Sequence, residues 1–96
     1  MSETQTKVEM TLSDNDRDEM RKAIDQHIER ARAFMDRGEF DMAEMGLQDA
    51  ADKANIIGLI DIGKVKEAAK MAYYMDSSPR YNIPDCIYNR LREIKF

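Results

Sequence analysis

Phe34-Met35-Asp36-Arg37-Gly38-Glu39-Phe40-Asp41-Met42-Ala43 returns twenty-five residues later as Leu59-Ile60-Asp61-Ile62-Gly63-Lys64-Val65-Lys66-Glu67-Ala68. The shared pattern is apolar, apolar, Asp, any, Gly, charged, apolar, charged, any, Ala. At both places one helical run of apolar residues stops and another begins. Glycine is the residue that takes a left-handed backbone without a steric penalty, and alanine lets two helix axes come close. The repeat therefore reads as one tight helix–helix turn used twice, and it makes the chain a sequence of helices.

The helices follow on either side of these turns. Ser13 with Asp16 approximates a capping box, and Asp14, Asp16, Asp18 and Glu19 load the first turns with negative charge. Met20, Ala23, Ile24, His27, Ile28, Ala31, Phe34 and Met35 then recur at helical spacing. A second helix is expected over 39–57, with Phe40, Ala43, Leu47, Ala50, Ala51, Ala54 and Ile57 on its buried face. A third, over 62–76, turns Val65, Ala68, Ala69, Ala72 and Met75 inward until Ser77-Ser78-Pro79 breaks it. A fourth starts near Ile83-Pro84 and carries Ile87, Leu91 and Ile94.

The first copy of the turn resembles the turn inside a tetratricopeptide hairpin, a likeness covering about twenty-five residues. The copies lie 25 apart instead of that family's 34, and the early Trp and the Leu-Gly of its signature are absent. The family's peptide-binding groove is accordingly not carried over. Residues 1–12 read as an arm. Lys7-Val8-Glu9-Met10-Thr11-Leu12 alternates polar and apolar, which fits a short strand needing a partner. The fold expected is all-α: about four helices in a small antiparallel bundle over 13–96, behind an extended N-terminal arm. The alternative is α+β, with two short strands at 6–12 and 56–62.

Ninety-six residues allow one domain with one modest core. A single cysteine excludes a disulfide framework and multi-cysteine metal sites, and a single histidine excludes most histidine-based metal and triad chemistry. The acidic first twenty residues hold no signal-peptide run, and 56–62 is too short to span a bilayer. A cytoplasmic protein with a reduced Cys86 and no membrane partner is expected. Residues 1–52 carry seven Lys/Arg against fourteen Asp/Glu, whereas 53–96 carry eight against five. The two halves are electrically opposite, so the basic end would attract an acidic partner or another copy's acidic end.

Candidate chemistry is sparse. Asp14, Asp16, Asp18 and Asp25 imitate a calcium loop, but Glu19 stands where that loop needs glycine. His27 lies between Ile24 and Ile28 as a packing histidine, and Cys86 reads as a small core residue. Residues 42–47 imitate a DNA-reading helix-turn-helix, yet the Ala–Gly gap is wrong and Asp49 and Asp52 would repel phosphates. No catalytic residue, cofactor or metal ligand emerges.

Recognition is better placed in the C-terminal third. All four tyrosines lie there, Tyr73, Tyr74, Tyr81 and Tyr88, interleaved with Arg80, Arg90 and Arg92. Tyrosine and arginine are favoured interface anchors, and the same mixture stacks on unpaired bases. The function expected is a small non-enzymatic regulator, adaptor or inhibitor that binds another protein with an acidic surface. The alternative is a single-stranded nucleic-acid-binding protein using the same residues. Tyr88, Arg90 and Arg92 are expected on the outer side of the last helix, so Arg90→Glu with Arg92→Glu would leave folding nearly intact. The alternating arm, the opposed charges, and Met42 and Met45 off the main helical face also point to a homodimer.

Overall fold

In the computed structural model, which describes residues 9–75 and 83–95, Ser13 starts the first helix as its side chain dictates. The Asp16 N–H donates to Ser13 Oγ at 3.1 Å, and the Ser13 N–H donates to Asp16 Oδ2 at 2.9 Å. Two backbone donors that a helix start leaves bare are thereby satisfied. From this box α1 runs over Asp14–Asp36, followed by α2 (Phe40–Asp61), α3 (Val65–Met75) and α4 (Asp85–Leu91). The chain is all-α across the described residues, which contain no strand.

The repeated turn is real. Gly38 and Gly63 are the two positions of positive φ among the described residues, at 77° and 85°. Around the first, Gly38 N–H bonds Met35 O at 3.0 Å and Glu39 N–H bonds Phe34 O at 2.9 Å. Around the second, Gly63 N–H bonds Ile60 O at 3.1 Å and Lys64 N–H bonds Leu59 O at 2.8 Å. Each is a left-handed glycine closing a helix through the paired six-to-one and five-to-two bonds of a Schellman turn. A Cβ at either glycine meets no neighbour within 4 Å, so backbone strain alone opposes a side chain. Gly38→Ala and Gly63→Ala should each lower stability by about 1 kcal/mol in urea unfolding.

The second helix is longer than its apolar spacing suggests, ending at Asp61 and not near Ile57. Gly58 stays helical, since the left-handed position is Gly63. Residues 56–61 are therefore helix, and 9–12 are irregular, which overturns the two-strand alternative for the part of it that is described. The arm's apolar alternation nonetheless shows in its burial. Leu12 is buried and Met10 half-buried against the core, while Thr11 between them is exposed.

One core holds the base of the molecule. Leu12, Met20, Ile56, Ile60, Val65, Ala68, Ala69, Ala72, Ile83, Ile87 and Leu91 form a single buried cluster. It joins the start of α1, the end of α2, and α3 and α4. The inward residues expected for the last two helices are thus in place, except Met75, whose side chain lies outside the described set, and Ile94, which follows the end of α4 and is half-buried against the core. Beyond this base α1 and α2 continue as a two-helix hairpin whose seam is His27, Ala31, Ala43, Gly46, Asp49 and Ala50.

The buried face of α2 is not the one its apolar residues mark out. Ala43, Asp49, Ala50, Lys53, Ile56 and Ile60 face inward, while Phe40 and Leu47 are 66% and 46% exposed. Ala51 and Ala54 are exposed as well. The cause is visible at Gly46, where a Cβ would stand 3.2 Å from the His27 carbonyl oxygen and 3.3 Å from Ala31 Cβ. Glycine and alanine let the two helices approach along that line, so it becomes the seam even though Asp49 and Lys53 lie on it.

Candidate partner-binding surface

Helices α3 and α4 meet with their apolar sides on the core, which leaves their outer edges to form a small surface. Ala69, Ala72, Tyr73, Tyr88, Leu91 and Arg92 line a cleft of about 50 Å³ between them. Tyr73 is 65% exposed and Tyr74 63% exposed, with ring centroids 5.4 Å apart and planes at 83°, an edge-to-face pair. Tyr88 is half-buried against the core, and Arg92 is exposed. Lys64, Lys66 and Lys70 stand exposed on the same helix as Tyr73 or in the turn before it. The structure thus brings Tyr73, Tyr74, Tyr88 and Arg92 together. Arg80 and Tyr81 lie outside the described residues.

Arg90 does something else. Its Nη1 donates to Asp16 Oδ2 at 2.9 Å and its Nη2 donates to the Thr11 carbonyl oxygen at 2.6 Å. One guanidinium therefore ties α4 to the cap of α1 and to the arm. Asp16 is buried while Arg90 remains 44% exposed. The hydrogen bond from the Ser13 backbone holds the Asp16 carboxyl below its usual range, with burial opposing and the Cys86 thiol, the Ser13 hydroxyl and Arg90 assisting. Burial, and then Asp16, push the Cys86 thiol up, which keeps it protonated and poorly nucleophilic. The expectation that Arg90 could be reversed in charge at no cost to folding is corrected by this clamp.

A second polar group lies in the α1–α2 seam, where sequence reasoning singled out only His27. His27, Asp49 and Lys53 are all buried, at 6%, 4% and 0% exposure. Burial, and then the Lys53 charge, hold the His27 imidazole below its usual value, with Asp49 pulling the other way. Burial likewise lowers Lys53, against the pull of Asp49 and Asp52. The signal for this group was present in the helical spacing of Asp49 and Lys53 with Ala43, Ala50 and Ile56, which a purely apolar search passes over.

This imidazole makes folding sensitive to mild acid. Because the unfolded chain takes up the His27 proton more readily, the His27 contribution to stability should be level above about pH 6.5 and fall as pH drops below it. Asp16 joins only near about pH 4, where its depressed carboxyl adds its own loss. Urea midpoints between about pH 7 and pH 5 check this, and His27→Asn should flatten the slope.

Beside His27 a cavity of about 150 Å³ is lined by Arg30, Ala31, Phe34, Met42, Met45, Gly46 and Asp49. Gly46 belongs to the seam with α1, whereas Met42 and Met45 are 43% and 36% exposed. No group of His, Cys, Asp and Glu among the described residues could hold a metal ion. No helix among them is long and apolar enough to cross a membrane. Compared with protein-family models, curated proteins and solved structures, the chain matches none.

Proposed function

We propose that this chain is a small, non-enzymatic, cytoplasmic protein-binding regulator, adaptor or inhibitor that works through the outer edge of α3 and α4. The observation that carries the reading is the joint exposure of Tyr73 and Tyr74 beside a cleft floored by alanines and closed by Tyr88 and Arg92. Aromatic rings standing in water next to an arginine are anchors of the kind that dominate binding energy in interfaces. Lys64, Lys66 and Lys70 add positive charge around them, which suits a partner with an acidic surface.

The test uses the full chain as bait in extract of the native host, with mass spectrometry of what is retained. Tyr73→Ala with Arg92→Glu alters two exposed positions, so the helical spectrum should be kept while the captured protein is lost. Capture unchanged by that double substitution would refute the assignment. So would retention on single-stranded nucleic acid that falls steeply with salt, which is the signature of the competing reading.

A further inference from the structure

The face of α2 that points away from the seam carries an apolar stripe interrupted at Glu44. Phe40, Leu47, Ala51, Ala54, Gly58 and Ile62 recur at helical spacing, and every one is exposed. Over the 22 residues of α2 this stripe is about 33 Å long. Its most exposed large members stand at its ends, Phe40 at 66% and Ile62 at 67% exposure, with Leu47 between them at 46%. Each is eleven residues from Ala51, and Ala51, Ala54 and Gly58 are small.

We propose that this stripe is where a second copy of the chain docks, with the two α2 helices antiparallel about a two-fold axis at Ala51. In that register Phe40 of one copy falls opposite Ile62 of the other. There it meets an open groove of about 470 Å³ lined by Ala54, Asn55, Gly58, Leu59, Ile62 and Met71. A two-fold pairing uses the same patch twice, so each groove receives one phenylalanine.

Charge selects this occupant and this direction. The Phe40 end of the stripe is flanked by exposed Asp41 and Glu44, and the Ile62 end by exposed Lys64, Lys66 and Lys70. Antiparallel docking sets the acidic end of each copy on the basic corner of the other, whereas parallel docking sets like on like. Of the two exposed carboxylates at the basic end, Asp61 is already held by Arg17 at 2.6 Å, and Glu67 leaves the three lysines in excess. The docking uses neither Tyr73 nor Arg92, and what it shares with the partner-binding surface is the charge of Lys64, Lys66 and Lys70.

The experiment is the molar mass of the full chain by light scattering at high micromolar concentration, joined to cysteine cross-linking. A dimer is expected, and Leu47→Glu should weaken it roughly tenfold or more with an unchanged helical spectrum. Ala51→Cys should link rapidly to its own copy under mild oxidation, while Asp41→Cys should not, because the antiparallel register separates the two copies of that position. The unsubstituted chain, with Cys86 alone, is the blank. A monomeric mass overturns the proposal, as does a dimer in which Asp41→Cys links as fast as Ala51→Cys.

Discussion

Gly46→Leu should lower the stability of the chain by about 3 kcal/mol, because the seam has no room for a side chain there. An added Cβ alone would meet the His27 carbonyl oxygen at 3.2 Å and Ala31 Cβ at 3.3 Å. The first of these is backbone and cannot rotate aside. The rest of a leucine side chain would have to part α1 from α2, opening the buried His27, Asp49 and Lys53 to water. Urea or thermal unfolding followed by circular dichroism measures the loss. Gly58→Leu is the control, since a Cβ there meets nothing within 4 Å. At a dilution where only the monomer is present, it should leave the midpoint unchanged or slightly raised.

Arg90→Glu should cost about 3 kcal/mol, far more than an exposed substitution normally does. It removes the bonds to Asp16 Oδ2 and to the Thr11 carbonyl, and sets a second carboxylate against a buried one. Arg92→Glu, on the outer edge of the same region, should leave the midpoint within about 0.5 kcal/mol. The two single variants, compared in urea, separate the clamp from the binding surface. Equal midpoints would show that the Arg90 contacts carry no stability.

The contrast between these arginines shows where the sequence was legible. Helix starts and stops were readable, because Ser13 with Asp16, and Gly38 and Gly63, act through their own local backbone. The inward faces of α3 and α4 were readable for the same reason: Val65, Ala68, Ala69, Ala72, Ile87 and Leu91 repeat at helical spacing on short elements with one side to bury. Arg90 was not. Its partners lie 74 and 79 residues away, and no spacing rule connects them.

Helix α2 misled in a more instructive way. Its apolar face is regular, but its tightest packing line runs through Gly46. Close approach, not hydropathy, chose the seam. Hydropathy marks one main face on a helix that has two to cover, and it gives no sign that Asp49 and Lys53 are buried. The tyrosine and arginine cluster was found from composition alone. Its division into a shared edge of Tyr73, Tyr88 and Arg92 and a separate Arg90 clamp required the tertiary structure.

The measurement that tests the account most directly is an amide resonance titration of the labelled chain with the protein it captures. Binding at the α3–α4 edge predicts that the largest shifts fall on residues 69–74 and 87–92, with the hairpin tip around Gly38 unmoved. Shifts confined to α1, or to the hairpin beyond the base, with residues 69–74 and 87–92 unchanged, would contradict it.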